Sequence, residues 1–347
     1  MISILGDSRL DFGLGPCAES RTFAETGTIG CVPSWDNTKL VRTLLAMLRK
    51  KDEMKQKLDW LPLVWTIIWK SLLFFLLWGI LSALLIIPFT DQLKQFEKVY
   101  PLQAQLYLDV IGALAVLIAA WIMARFIDRR PFSTLGFAPN YMVRDSLLGM
   151  SIGTAWLGFS VFALWIMGWV SLRPSFAISW SILVWVAVTL IFNTLTQEVL
   201  VRSYIYQTIQ SQTNFIWAII VSAVLFVAFH AGVYDGAWLP AVNVFTAGVL
   251  FGVAYHLTGN LWLPIAIHFT WNFLLGPVLG LTVSGQNQLN SGWQVFIIQG
   301  PAWLTGGSFG LEGGLIVTLT TVIGTVAMFL LFRWRVASQN AKLKAAG

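Results

Sequence analysis

Apolar residues in this chain come in long runs separated by short polar segments, not at the three-to-four-residue spacing of a surface helix. About 20 such residues carry an α-helix across the hydrocarbon of a bilayer. Eight runs qualify, near Ser71–Phe89, Leu106–Ala124, Leu147–Val170, Ala177–Thr196, Phe215–His230, Pro240–Leu257, Leu261–Val283 and Gly314–Phe332. The run at 215–230 is the shortest. The pattern predicts an all-α, polytopic transmembrane helix bundle of about eight spans, with no globular domain beside it.

Composition sharpens this reading. The chain is 57% hydrophobic and 11% charged, against about 25% charged for an average soluble domain, a surplus that a soluble core cannot absorb. Many of the tryptophans stand near the ends of runs, as Trp60, Trp65, Trp169, Trp180, Trp217, Trp262 and Trp334 do, where interfacial anchoring explains them. Trp156 and Trp165 are expected to pack inside the bundle.

Lys and Arg in the short connections set the orientation. They gather before the first span (Arg42, Arg49, Lys50, Lys51, Lys55, Lys57), between the second and third (Arg125, Arg129, Arg130, Arg144) and after the last (Arg333, Arg335, Lys342, Lys344). These segments are expected on the cytoplasmic side of a plasma (inner) membrane. An even number of spans puts both termini there. The net charge of +6 is then ordinary membrane topology, and no nucleic-acid partner is expected. Residues 1–58 read as a polar, disordered cytoplasmic tail without a signal-peptide pattern, 59–335 as the membrane domain and 336–347 as a basic tail. Cys17 and Cys31 both fall in the first tail, away from the bundle, with no histidine near them for a metal site.

Ionisable residues within spans are costly and mark cavities or partners. Here they are Lys70, Asp109, Glu198, Arg202, His230, His256 and His268. Lys70 and Arg202 can snorkel to an interface, Asp109 can sit at the headgroups, and His256 adjoins the Thr258-Gly259-Asn260 turn. Three pairs spaced i,i+4 remain, each on one helix face: Glu198 with Arg202, Phe226 with His230, and His268 with Asn272. At about 1.5 Å of rise per residue, Glu198, His230, His268 and Asn272 lie roughly 12–24 Å from the nearest turns and so share a depth near mid-membrane. A carboxylate, two imidazoles and a carboxamide meeting in a low-dielectric cavity suit water activation or metal binding.

At these residues the sequence resembles the CPBP intramembrane proteases, also called the CAAX protease/Abi family, which include the type II prenyl-protein endopeptidases (CAAX prenyl protease 2-like). The family signatures Glu-Glu-x-x-x-Arg, Phe-x-x-x-His and His-x-x-x-Asn correspond to Gln197-Glu198-Val199-Leu200-Val201-Arg202, Phe226-Val227-Ala228-Phe229-His230 and His268-Phe269-Thr270-Trp271-Asn272. Asp128-Arg129-Arg130-Pro131, Leu135-Gly136-Phe137, Arg144-Asp145 and the His256–Trp262 turn also look like this family, so that the resemblance covers roughly residues 60–335. It implies a membrane endopeptidase acting on a hydrophobic or lipidated peptide or protein. A carboxylate and His230 would activate water, while His268 and Asn272 stabilise the oxyanion or hold a metal. Its site is then Gln197, Glu198, Arg202, His230, His268 and Asn272. His230, His268 and Glu198 are the candidate ligands for Zn²⁺ or another divalent ion, and a metal-free, glutamate-dependent mechanism is the alternative.

One position departs from the pattern. The first motif glutamate, assigned in the family as the base, is Gln197 here, and an amide has no titratable proton. Either Glu198 turns inward to replace it, although adjacent helical positions face directions about 100° apart, or the chain is a non-catalytic pseudoprotease, a binding or immunity scaffold. A transporter or channel would need broken helices or rings of charge in more spans.

Overall fold

The computed structural model describes residues 37–172, 179–234, 237–285 and 295–346, with side chains between 60 and 334. The chain divides into Met1–Pro62 and Leu63–Gly347. The tail expected for residues 1–58 lies outside the described residues as far as 36, and so do Cys17 and Cys31. From 37 the backbone is helical, as the beginning of α1, and the C-terminal tail is helical through Ala346.

The helices in chain order are α1 (Asn37–Ile86), α2 (Thr90–Val99), α3 (Pro101–Ile122), α4 (Met142–Ile166), α5 (Trp180–Glu198), α6 (Tyr204–Gln212), α7 (Phe215–Phe229), α8 (Trp238–Thr258), α9 (Trp262–Phe273), α10 (Ala302–Thr305) and α11 (Leu315–Ala346). Two three-residue strands, β1 (Val170–Leu172) and β2 (Phe296–Ile298), pair antiparallel with Val170 opposite Ile298. The all-α membrane bundle is therefore the fold, with one minimal two-stranded antiparallel ladder that joins distant parts of the chain.

Among the described residues, six helical segments are long and apolar enough to cross a membrane: Trp60–Val99, Pro101–Ile127, Pro139–Ile166, Trp180–Gln212, Trp238–Thr258 and Leu315–Trp334. The other two runs counted as spans also become helices, but shorter ones. α7 has 15 residues and α9 has 12, or about 22 and 18 Å at the α-helical rise, against about 30 Å of hydrocarbon. The run from Leu261 is cut short because α9 gives way to a π-helical turn at Leu274–Val278, which contains Pro277.

Apolar side chains face outward as well as inward, as a lipid-bathed bundle requires. Along α1, Leu72, Leu76, Ile80 and Leu84 stand four apart on one exposed face. Trp156 is buried as expected, but Trp165, nine residues on, is 55% exposed and stacks only on the neighbouring Phe162.

Helix pairs meet where side chains are smallest. On α4 the buried positions Asp145, Gly149, Gly153, Trp156 and Ser160 form one stripe at intervals of three and four, and this stripe packs on α9. A Cβ on Gly149 would stand 2.6 Å from the Ala266 Cβ, and one on Gly153 would stand 2.9 Å from the Ile267 carbonyl oxygen. This small-xxx-small seam brings two backbones together where lipid supplies no hydrophobic drive between helices. α3 packs on α5, α7 on α8, α8 on α11, and α9 on both α5 and α8.

Replacing Gly153 by Leu should force α4 from α9 and lower the unfolding midpoint in detergent, at a cost of about 1–3 kcal/mol for an overpacked contact. Gly158→Leu on the same helix, where an added Cβ meets nothing within 4 Å, should leave the midpoint unchanged.

Candidate active site

The first motif lies where α5 changes its winding. α5 ends at Glu198, and a π-helical turn, Val199–Ser203, joins it to α6. Such turns inside helices frequently mark functional sites. Glu198 and Arg202 are both fully buried. Arg202 Nη1 donates to both carboxylate oxygens of Glu198, at 2.9 and 2.8 Å, and Nη2 donates to the Gly248 carbonyl at 3.1 Å. The guanidinium lies 4.6 Å from the Phe226 ring centroid and 5.3 Å from that of Phe251, which adds cation–π attraction to the charge pair. Arg202 is thus an internal partner, not a snorkelling one.

His268 comes to the same carboxylate from α9. Its Nδ1 lies 3.0 Å from Glu198 Oε1, and its ring stacks on Phe251 at 4.9 Å and 19°. With Nδ1–H donated to Glu198, Nε2 is the free nitrogen. His230 is held differently, just beyond the end of α7. Its Nδ1 bonds the Phe226 carbonyl at 2.7 Å, again leaving Nε2 free. Both imidazoles pack against the Phe226 ring, at 4.6 and 5.6 Å between centroids.

These groups surround a cavity of about 430 Å³. Gln197, His230, His268 and Asn272 line it, whereas Glu198 and Arg202 do not. Its apolar wall includes Phe226, Phe251 and the Trp156–Trp271 pair, stacked at 3.7 Å. The 100° between adjacent helical positions therefore sends Gln197 into the cavity and Glu198 behind it. Gln197 Nε2 donates to Asn193 Oδ1 at 2.7 Å, and its Oε1 is buried without a partner.

The expected metal set does not fit this arrangement. Both oxygens of Glu198 are taken by a fixed cation, and one also by His268, so the carboxylate is not open to a second positive charge. Among the described residues, no three His, Cys, Asp or Glu side chains are grouped to hold an ion.

The cavity also holds polar residues that the motifs do not contain. Glu312, in the turn before α11, lines it and accepts from Trp271 Nε1 at 2.7 Å and from the backbone N–H and hydroxyl of Ser284. Burial raises its carboxyl above the usual carboxylate range, while the bonds from Ser284 and Trp271 lower it. Asp109, expected at the headgroups, also lines the cavity, and so do Gln105 and Asn193. No spacing rule connects these residues to the motifs. Asp109 and Asn193 carried one signal, polarity inside an apolar run, while Gln105 and Glu312 stand just outside the runs and carried none. Lys70 meets Asp128 at 2.5 Å, and His256 stacks on Phe215 at 4.3 Å.

Fold and site together define a polytopic membrane protein with a polar, histidine-lined cavity enclosed by its helices. Residues 179–274 match the family described as type II CAAX prenyl endopeptidase Rce1-like. This segment carries all three motifs, and the match supports a likeness to the CPBP/CAAX proteases, a family whose reaction is peptide hydrolysis. Neither the curated proteins nor the solved structures gave a match.

Arg202→Leu would leave a fully buried carboxylate without its cation, and should cost about 3–5 kcal/mol in unfolding measured in detergent. The double variant Glu198→Leu/Arg202→Leu should recover part of that loss, since an apolar pair of similar volume often replaces a buried ion pair without penalty. A simple interfacial arginine would show neither effect.

Proposed function

We propose that this chain is an intramembrane endopeptidase whose cavity holds the attacking water between an imidazole and an amide, without a metal. The observation that carries the reading is that His230 and His268 are each fixed through Nδ1, one by a backbone carbonyl and one by a carboxylate, while both rings line a single cavity. That fixation selects Nε2 as the working nitrogen, as an orienting carboxylate does in a catalytic triad.

In this mechanism the water oxygen attacks the scissile carbonyl carbon while His230 Nε2 takes one of its protons. Gln197 Oε1 accepts a hydrogen bond from the other. The oxyanion that forms is held by the Asn272 amide, with the His268 ring beside it. His230 then returns its proton to the leaving amine as the carbon–nitrogen bond breaks. Glu198 acts behind the cavity, orienting His268. The substrate is a hydrophobic or lipidated peptide or protein segment reaching the cavity from the bilayer, and the stacked Trp156 and Trp271 offer it an apolar wall. The chain works in a plasma (inner) membrane with both termini cytoplasmic.

One observation favours a second reading. The carboxylate that the motif retains is turned away from the cavity and committed to Arg202, and the residue that faces the cavity cannot take a proton. A pseudoprotease that binds such a segment without cutting it is consistent with both facts.

Purified protein in detergent or liposomes, given a hydrophobic peptide that a two-glutamate relative cleaves under the same conditions, distinguishes the readings. Cleavage should occur, fall below detection in His230→Ala and His268→Ala, and drop about 10²–10³-fold in Asn272→Ala, the size of effect seen when an oxyanion donor is removed. Undiminished cleavage in both histidine variants would overturn the proposal. Tight binding of the uncut peptide by the wild-type chain would establish the pseudoprotease.

A further inference from the structure

A chain of side-chain hydrogen bonds runs from α3 through α5 into the cavity. Gln105 Nε2 donates to Asp109 Oδ2 at 3.1 Å. Asn193 Nδ2 donates to Asp109 Oδ1 at 3.0 Å, and Gln197 Nε2 donates to Asn193 Oδ1 at 2.7 Å. All four residues line the cavity. Amide orientations follow from the network around them, and here a carboxylate anchors it. With Asp109 ionised its carboxylate only accepts, which matches the arrangement in which Asn193 turns its NH₂ to Asp109 and its carbonyl to Gln197. Gln197 must in turn offer its NH₂ to Asn193. What remains is Gln197 Oε1, a buried acceptor without a partner on a residue that lines the cavity.

The geometry points to Asp109 as a positioning residue of the active site, which through Asn193 holds Gln197 with its carbonyl oxygen toward the cavity as a fixed acceptor for a water or substrate N–H or O–H group. The inference deepens the proposed hydrolytic reading of this cavity and rests on it for its kinetic consequence, but the hydrogen-bond polarity stands without it. Asn193 can present NH₂ to only one of its two neighbours. An acid at 109 therefore requires a hydrogen-bond donor at 197, as the amide of Gln197 supplies. An acid at 197 calls for an amide at 109. The carboxylate that the family motif has at the position of Gln197 is matched in this chain by one two hydrogen bonds away.

Four proteins test this: wild type, Asp109→Asn, Gln197→Glu and the double variant, each first shown to unfold cooperatively in detergent. Asp109→Asn frees the amides to invert, and kcat should fall about tenfold, the worth of one orienting hydrogen bond, with KM unchanged. In Gln197→Glu two acids face one amide, and the acid opposite the Asn193 carbonyl must keep a proton. Infrared difference spectra against wild type should then show one additional protonated carboxyl band, and Asp109→Asn in the same protein should remove it. The double variant restores alternating donors and acceptors along the whole chain, and it should hydrolyse peptide faster than either single variant. An unchanged kcat in Asp109→Asn would overturn the positioning role. So would a Gln197→Glu protein that lacks the band, or one whose activity is indifferent to residue 109. If none of the four proteins cleaves peptide, the hydrolytic reading fails alone, because the infrared band still decides the polarity of the chain.

Discussion

The buried pair of Glu198 and Arg202 is the constraint around which the rest of this membrane domain is arranged. Removing two full charges from water is expensive, and their attraction compensates only where the remaining donors and acceptors are also satisfied. Arg202 meets part of that demand with the Gly248 carbonyl and two aromatic faces, its Nε being buried without a partner, and Glu198 meets it with His268. These contacts reach α8, α7 and α9 in turn. An ion pair that is internal to one helical stretch therefore fixes how three other helices approach it, and one of them brings a candidate catalytic imidazole.

Close backbone approach is the second requirement, and glycine provides it on both sides. Gly149 and Gly153 let α4 lie against α9, and a Cβ on Gly248 would stand 3.0 Å from Ala223 of α7. The same Gly248 whose missing side chain admits α7 offers its carbonyl to Arg202. Packing and charge compensation thus coincide at one residue.

Much of this was legible in the sequence because membrane helices expose their exceptions. Glu198, Arg202, His230, His268 and Asn272 stood out as polar groups at i,i+4 spacing, and an estimate of depth from helical rise put all of them but Arg202, which was read as able to snorkel, near mid-membrane. The direction of a side chain around its helix was not legible. Gln197 and Glu198 are adjacent, and only the positions of α9 and α3 around α5 decide which faces the cavity. Asp109 was read as a headgroup contact because its partner, Asn193, is distant in sequence and uncharged. The span count exceeded the number of long helices because hydropathy continues through Leu274–Val278, where the winding of the helix changes.

The shortness of α7 and α9 has a consequence for the surrounding lipid. Helices of about 22 and 18 Å cannot match hydrocarbon about 30 Å thick, and a bilayer accommodates such mismatch by thinning locally, at a fraction of a kcal/mol per ångström. Of the two, α9 is mostly buried against α4, α5 and α8, while α7 exposes apolar side chains, so thinning of this kind would fall beside α7, whose end bears His230. A peptide bond cannot be hydrolysed in dry hydrocarbon. A bilayer thinned beside α7 would bring water nearer the cavity, and the membrane's thickness would then be part of the reaction's solvent supply.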